Sequence, residues 1–449
     1  MARSRRRRLR AEGGRAAGLL VVLALASGCA SSGSSVPKAP GGPAWQNAGP
    51  PPEPESNAWR TARSLRIGLA VGIPSLVIAG STEWSLSVLH GRDIESYRAG
   101  AAVKITRTGD GTTTATVEGS TTPFWSGESG DTLVMTIGSR GYSRWDTKWY
   151  RGTMRVFASQ GTGLTLANDV DLESYLRSVL PNEIGTPPES DFEAVKAQAV
   201  AARSYTLSYF GRRAALGFDL YATVEDQVYQ GVGRENAQSD RALDLTRGEV
   251  LMSGGLPIRA LYSSACGGRT ANVEDVWPWP WTPYLRSTRD SDGPSLKPFC
   301  SISANFRWRE EWDIRSFMAT LRQYGPAEGG GLAGLKGDFL DARVKTRSRC
   351  GRVQELAIST TEGVWILRGD RIRWILRRPG QGAILRSSFF KIGVSRDAGG
   401  KPIRVIVSGA GNGHGIGLCQ WGAMGMARAG KDYRAILGHY YENARIEIL

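Results

Sequence analysis

The chain contains little cysteine and little histidine, with 5 Cys and 3 His among 449 residues. No two cysteines form a C-x-x-C pair. The apolar run at residues 16–26 is shorter than the roughly 20 residues that a transmembrane helix needs. No nucleic-acid-binding motif is found. These absences argue against a membrane-spanning protein and against a nucleic-acid-binding protein.

The N-terminus has the pattern of a bacterial signal peptide of the lipoprotein type at residues 1–28. An arginine-rich start is followed by the apolar run and by small residues immediately before Cys29. We expect lipidation at Cys29, and a plain signal cleaved nearby is the alternative. Because Ser4-Arg5-Arg6 also resembles a twin-Arg signal, the export route stays open. Either route predicts an exported protein, anchored by lipid to a membrane of the bacterial cell envelope.

Export changes the charge of the protein. The chain carries a formal charge of +15, but seven Arg and one Glu lie before Cys29, so the mature chain keeps +9. A basic mature protein suits an anionic polymer such as the cell wall. Simple solubility is the competing interpretation.

Composition divides the mature chain into three parts and predicts the fold class α+β. Residues 29–60 are rich in Pro, Gly and Ser and predict a flexible tether. Residues 61–165 contain short alternating apolar runs between glycine-rich turns, which predict a small all-β accessory lobe. Residues 166–449 mix helical and strand patterns, which predicts a domain of helices and antiparallel strands.

Residues 171–209 are the part around which the chain is organised. They predict a helix that ends at Pro181, an irregular turn that carries Glu183, and a long alanine-rich helix. The S-x-x-E pattern of Ser190 and Glu193 predicts a capping box and a helix start at about residue 191. Because this second helix is small and apolar on most of its surface, we expect it to be covered on most sides.

Two cations on the second helix need a partner. Lys196 and Arg203 are seven residues apart and therefore point the same way. The carboxylate of Glu183 is the nearest candidate by sequence. A structural ion pair and a functional site are equally compatible with this pattern.

The stretch that includes Glu183, Lys196 and Arg203 resembles the signature of the SpoIID/LytB family, named for stage II sporulation protein D and an amidase enhancer. Further blocks match the family in the same order: DQVYQG (226–231), TRGEVL (246–251), LYSSACGGRTANVEDVW (261–277), PYLRS (283–287) and GNGHGIGLCQWGAMGMARAGKDYRAILGHYY (411–441). Five ordered blocks are much harder to obtain by chance than one motif. The resemblance implies that residues 166–449 form a SpoIID-like catalytic core.

The resemblance implies lytic transglycosylase activity on peptidoglycan glycan strands. One carboxyl group cleaves the MurNAc–GlcNAc bond, and the C6 hydroxyl of the sugar closes a 1,6-anhydro ring. Glu183 matches the family's catalytic glutamate. The residues matched as binding or supporting the substrate are Lys196, Arg203, Ser263, Thr270, Asp275, His414 and Gln420. We expect the two cations to bind the sugar or shape the turn, and to stabilise developing negative charge.

We predict neither a metal nor another cofactor. Some family members carry Cys and His in the segment before Gln227, where zinc would bind. This chain has Tyr221, Glu225 and Asp226 there, with no histidine nearby.

The remaining cysteines are candidates for disulfides in an oxidising compartment. They are Cys266, Cys300, Cys350 and Cys419. Four cysteines allow three pairings, between which sequence cannot choose. A catalytic thiol at Cys266 or Cys419, with His414 as its base, is the rival interpretation.

Two non-catalytic functions compete with the enzyme. LytB-type relatives are regarded as amidase enhancers, so the chain could bind peptidoglycan and assist a wall amidase without cutting. A lipoprotein scaffold that only holds glycan is the third class. No nucleic-acid partner is expected.

Overall fold

The structure is a computed structural model that describes residues 58–61, 64–91, 93–128, 130–293, 296–326, 332 and 334–449. The predicted signal peptide, the lipidation site Cys29 and the tether up to residue 57 lie outside the described residues. Within the described ranges, no helix is both long enough and apolar enough to cross a membrane.

Two largely antiparallel sheets build the β-rich region. The seven-stranded sheet has the order β13-β1-β12-β11-β8-β3-β4, and the six-stranded sheet has the order β10-β9-β2-β5-β6-β7. Their strands are β1 (Leu65–Ile73), β2 (Ser75–Gly80), β3 (Trp84–Val88), β4 (Asp93–Tyr97), β5 (Ala102–Arg107), β6 (Thr113–Val117), β7 (Trp125–Gly127), β8 (Thr132–Ile137), β9 (Ser143–Trp145), β10 (Lys148–Tyr150), β11 (Thr153–Ala158), β12 (Leu164–Val170) and β13 (Leu220–Tyr221). Each strand expected from apolar alternation is present.

The β-rich region and the following helices share one hydrophobic core, whose buried residues run from Leu65 to Tyr441. Strand β12 crosses the predicted domain boundary at residue 165, and β13, which follows the two helices within residues 172–208, pairs in parallel with β1. The sheet therefore continues directly into the helical part of the chain.

The helices of the described residues are, in chain order, α1 (Ala58–Thr61), α2 (Leu172–Ile184), α3 (Phe192–Ser208), α4 (Ala237–Leu245), α5 (Ile314–Tyr324), α6 (Arg371–Ile375), α7 (Gln420–Arg428) and α8 (Tyr433–Tyr440). Helices α2, α4, α7 and α8 pack around the long alanine-rich helix α3, which is covered on most sides as expected. In α3, each residue from Ala194 to Ser208 except Lys196 is buried. The fold class α+β is confirmed.

Two local predictions about these helices are wrong. Helix α2 continues through Pro181 to Ile184 and ends only where Gly185 adopts a φ of 71°. A proline there removes one backbone donor, and the surrounding packing tolerates that loss. The capping box does not form, because the Glu193 carboxylate accepts a bond from the Tyr433 backbone N–H at 2.9 Å instead. A short 3₁₀ turn, Glu189–Asp191, leads into α3.

Short strands connect the end of the chain to the helices. They are β14 (Glu249–Ser253), β15 (Leu256–Pro257), β16 (Tyr262–Ser263), β23 (Leu418–Cys419) and β24 (Arg445–Ile448). Strand β14 forms a hairpin with β15 and also pairs with β24. Strand β16 pairs in parallel with β23, which brings the block around Tyr262 next to the start of α7.

A second hydrophobic core lies within residues 307–410. Its buried side chains range from Trp308 to Val407. Its strands are β17 (Arg307–Asp313), β18 (Phe339–Arg347), β19 (Val353–Thr360), β20 (Gly363–Arg368), β21 (Phe390–Arg396) and β22 (Pro402–Ala410). They form two three-stranded sheets, with α5 and α6 between them in sequence.

Candidate active site

Glu183 lies in the last turn of α2. The helix ends one residue later, because Gly185 takes a left-handed φ that most side chains avoid. The carboxyl faces a cleft of about 240 Å³. The cleft is lined by Glu183, Tyr205, Val224, Asp226, Val228, Leu261, Tyr262, Trp277 and His414.

Burial dominates the chemistry of the Glu183 carboxyl. It raises the pKa of Glu183 from 4.5 to about 7, although hydrogen bonds from the Val228 backbone and the Tyr262 side chain act in the opposite direction. The negative end of the α2 dipole also disfavours the ionised form. The carboxyl is therefore protonated in a large fraction of molecules at neutral pH, which a general acid requires.

The Tyr262 hydroxyl holds the Glu183 carboxyl in one orientation. It accepts a hydrogen bond from Gln227 Nε2 at 3.0 Å, so its own proton is available to the carboxylate. Gln227 Oε1 accepts in turn from the Thr206 hydroxyl at 2.7 Å. This chain of bonds runs back to α3, so the acid is supported from the centre of the fold.

Gln420 holds the backbone beneath the acid. Its Nε2 donates to the Glu183 carbonyl oxygen at 3.0 Å and lies 3.3 Å from Gln198 Oε1. The last carbonyls of a helix have no partner within the helix, so Gln420 satisfies one of them. Gln420 is thus a positioning residue for Glu183.

His414 lines the cleft but has both ring nitrogens occupied. Nδ1 accepts from the Ile416 backbone N–H at 3.0 Å, and Nε2 lies 2.9 Å from the Tyr262 carbonyl oxygen. This arrangement requires the neutral tautomer that carries its proton on Nε2. Burial lowers the pKa of His414 to about 4, which agrees with a neutral ring.

The His414 ring lies 4.9 Å from the buried Trp277 ring, measured between centroids. His414 therefore presents an aromatic surface to the cleft together with Trp277. With both nitrogens engaged, it is not positioned as the base of a catalytic thiol.

The two cations of α3 do not contact Glu183, which corrects the pairing expected from sequence. Arg203 forms a bidentate ion pair with Glu173, with both N–O distances at 2.8 Å. Lys196 pairs with Glu193 at 2.5 Å and lies over the Tyr433 ring. The two acids that neutralise these cations are Glu173, ten residues before Glu183, and Glu193, on the helix itself.

Three other residues predicted from the sequence do not line the cleft. The Thr270 hydroxyl is buried and contacts the Arg286 and Thr288 backbone. The Asp275 carboxylate accepts from Asn272 at 2.9 Å. Ser263 is buried on β16, next to the cleft residue Tyr262.

The segment that holds zinc in some family members does not fit a metal here. Asp226 pairs with Arg212 at 2.8 Å and accepts from the Tyr221 backbone. Glu225 pairs with Arg213, whose guanidinium also lies over the Tyr221 ring. Arginine side chains thus neutralise the acids that would otherwise be available as ligands.

The four cysteines of the described residues lie outside the cleft as buried free thiols, in place of the disulfides expected from the sequence. Cys266, Cys300 and Cys419 meet around the buried carboxylate of Asp290. Cys350 is separate and lies 3.0 Å from the Ser348 hydroxyl.

Two features of this region are not evident from the sequence. Tyr262 contacts the acid, whereas the residue predicted from the same matched block is its neighbour Ser263. The cysteine cluster is the second feature, because its members are spread over 154 residues of sequence without a regular spacing.

Comparison with known proteins agrees with this architecture. The family model described as stage II sporulation protein matches residues 160–252, and a domain of unknown function (DUF8618) matches residues 300–417. An uncharacterized protein of Brachyspira hyodysenteriae is 30% identical over 299 residues, covering 66% of this chain and 72% of that protein.

Two named relatives are more distant. The amidase enhancer of Bacillus subtilis is 28% identical over 59% of this chain, a match that covers 39% of the enhancer. Stage II sporulation protein D of Bacillus amyloliquefaciens is 27% identical over 62% of this chain and 74% of that protein.

The mixed helices and strands around a buried glutamate are thus those of a SpoIID-type domain. The chain belongs to the SpoIID/LytB family. Membership of this family supports a role connected with the cell wall.

Proposed function

We propose that the protein is a lytic transglycosylase that cleaves the MurNAc–GlcNAc bond of peptidoglycan glycan strands, with Glu183 as the single acid and base. The observation that carries this proposal is the Glu183 carboxyl facing a cleft, with its pKa raised to about 7 by burial. A lone exposed glutamate would be ionised at neutral pH and unable to donate a proton.

Glu183 can serve both proton transfers of this reaction. Its protonated carboxyl donates to the glycosidic oxygen while the bond from the sugar C1 to that oxygen breaks. The resulting carboxylate then accepts the proton of the C6 hydroxyl, whose oxygen bonds to C1 and closes the anhydro ring. The hydrogen bonds from Tyr262 and Val228 stabilise the ionised carboxyl between the two steps.

The substrate itself supplies the nucleophile, so no second catalytic carboxylate is required, in contrast to ordinary glycosidases. This agrees with the state of Asp226, the other acid in the cleft. Its pairing with Arg212 makes it a structural residue.

The walls of the cleft suit a sugar. The Trp277 and His414 rings, tilted by 44° to each other, offer an aromatic surface, and the apolar side chains of Val224 and Leu261 also line the cleft. Sugar rings stack through their C–H faces on such surfaces. The formal charge of +9 for the mature chain adds attraction to an anionic wall.

Digestion of purified glycan strands, with and without stem peptides, tests the proposal. The full chain, extracted in detergent, is compared with Glu183→Gln, and the products are identified by mass. We expect anhydro-ended products from the wild type and a loss of at least ~100-fold in the variant, the lower end of general-acid contributions. Equal cleavage by both proteins would refute the assignment of Glu183.

The second candidate is a peptidoglycan-binding enhancer of a wall amidase. The similarity to the Bacillus subtilis protein of that name favours it. Binding of glycan strands without cleavage by either protein, together with faster digestion by an added amidase, would establish this function. Anchoring by lipid at Cys29 in the cell envelope remains a prediction for both functions.

A further inference from the structure

We propose that Cys266, Cys300, Cys419 and Asp290 bind one structural Zn²⁺ ion. Each of the four residues offers one ligand atom, and these atoms all lie within 4.8 Å of one another. All four side chains are fully buried. Three sulfur ligands and one carboxylate oxygen are a ligand set that zinc accepts in closed, four-coordinate sites.

The spacing of the sulfurs matches a metal site better than a disulfide. Cys266 Sγ and Cys300 Sγ are 3.7 Å apart. A zinc–sulfur bond of about 2.3 Å gives a tetrahedral edge of about 3.8 Å. A disulfide requires about 2.05 Å and would leave the third thiol and the Asp290 carboxyl buried beside it.

Backbone donors surround the cluster as they surround metal-bound thiolates. Cys419 Sγ accepts from the Cys266 and Gly422 backbone N–H groups at 3.1 and 3.3 Å. Two N–H donors directed at one sulfur suit a metal-bound thiolate. Such outer-shell bonds orient the ligands of a metal site.

Two hydrogen bonds fix the orientation of the Asp290 carboxylate. Its Oδ2 accepts from the Cys300 backbone N–H at 2.8 Å, and its Oδ1 accepts from the Tyr440 hydroxyl at 2.6 Å. Each oxygen keeps a lone pair for a metal. A Cβ at Gly422 would lie 2.4 Å from Asp290 Oδ1, so only glycine allows the backbone of α7 to approach this closely.

A buried positive charge lies next to the cluster and would offset its net negative charge. Three thiolates, one carboxylate and Zn²⁺ sum to two negative charges. The guanidinium of Arg352 is 1% exposed and donates to the Cys266 carbonyl oxygen at 3.1 Å.

The proposed ion would join the segments that build the active site. Cys266 follows β16, which carries Tyr262, and Cys419 immediately precedes Gln420. Asp290 and Cys300 lie between them in sequence, Cys300 on the 3₁₀ turn Phe299–Ile302. Zinc would therefore fix the Tyr262 strand against the helix whose first residue supports Glu183. This role does not depend on whether the protein cleaves glycan.

Metal analysis of the full chain, extracted in detergent and purified without chelator, tests the proposal. We expect one equivalent of zinc per chain, with no disulfide among Cys266, Cys300 and Cys419 when thiols are alkylated in denaturant without reductant. Replacement by Co²⁺ should give the visible ligand-field bands of a tetrahedral thiolate site. Absence of metal, bound iron in place of zinc, or a Cys266–Cys300 disulfide would overturn the assignment.

Two variants connect the metal to the named residues. Cys300→Ala should retain less than roughly a tenth of the zinc, because a closed structural site needs all its ligands. Cys350→Ala is the matched control and should keep one equivalent. If Cys300→Ala does not fold, the zinc content, thiol state and cobalt spectrum of the wild type still decide the question.

Discussion

Replacing Glu183 with glutamine should make the folded protein more stable at neutral and alkaline pH. Burial raises the pKa of this carboxyl from 4.5 to about 7. A carboxyl whose pKa is raised by folding contributes fully to stability below its unfolded pKa. That contribution is lost as the pH rises through the folded pKa. Wild type therefore loses stability between about pH 4 and pH 7, whereas the glutamine variant has no proton to lose.

The size of the effect follows from the two pKa values. One pKa unit corresponds to about 1.4 kcal/mol, so the shift from 4.5 to about 7 corresponds to about 3 kcal/mol above pH 7. Glutamine keeps an oxygen that can accept from Tyr262 and Val228. The packing at this position should therefore change little.

His414 acts in the opposite direction, so the two proteins must be compared at the same pH. Its pKa is lowered from 6.5 to about 4, and its neutral form is the one that the fold holds. Stability from His414 is complete above pH 6.5 and is lost as the pH falls towards 4. In the wild type, the stability lost from Glu183 as the pH rises is partly cancelled by the stability gained from His414. Because both proteins contain His414, its contribution drops out of the difference between them.

Urea unfolding at about pH 4, 6 and 8 measures the difference. The measured quantity is the free energy of unfolding of Glu183→Gln minus that of the wild type. We expect this difference to increase by about 3 kcal/mol from pH 4 to pH 8. Glu118→Gln is the control for the loss of one charge, because Glu118 is an exposed carboxyl that directly follows β6. A difference between wild type and Glu183→Gln that stays constant over this range would refute the raised pKa.

Three further predictions concern the neighbours of the acid. Tyr262→Phe removes a hydrogen bond that favours the ionised form of Glu183, so the pKa of Glu183 should rise. The alkaline limb of the pH–rate profile should then move up by about one pH unit. An unchanged or lower limb would contradict the assigned hydrogen bond. Arg203→Met leaves Glu173 without its buried partner and should cost about 3 kcal/mol in urea unfolding. The pH–rate profile of that variant should keep its position, and a shifted limb would revive a direct coupling to Glu183. His414→Gln should lose less stability than the wild type as the pH falls from 6.5 to 4, and circular dichroism during an acid titration measures this loss. Equal acid sensitivity of the two proteins would refute a buried neutral histidine.

Local patterns in the sequence predicted much of the β-rich region and the helices. Alternating apolar residues identify strands such as β8 and β11, because one face of each strand is buried. The expected start of the alanine-rich helix at about residue 191 agrees with α3, which begins at Phe192. Pro181 shows the limit of such rules, since packing keeps α2 helical beyond it.

The site was less accessible to prediction, because it is made of contacts between distant residues. Glu183 was found through its motif, but Gln420 reaches it across 237 positions of sequence. Thr270 and Asp275 lie in a matched block, but Thr270 bonds to the Arg286 carbonyl oxygen and Asp275 accepts from Asn272. Neither side chain lines the cleft. A motif reports that residues occur together in order, whereas it does not say which side chains face the cleft.

The second core has a consequence for the connectivity of the chain. Arg307 and Ala410 are directly paired where β17 begins and β22 ends, and the Gly411 N–H donates to the Asn305 carbonyl oxygen at 3.1 Å. The two ends of the segment 307–410 therefore lie side by side where they join the rest of the protein. A segment attached in this way can be lengthened, exchanged or removed during evolution without rerouting the remaining chain. Family members with different segments between the blocks at residues 261–277 and 411–441 could then keep the same site around the glutamate.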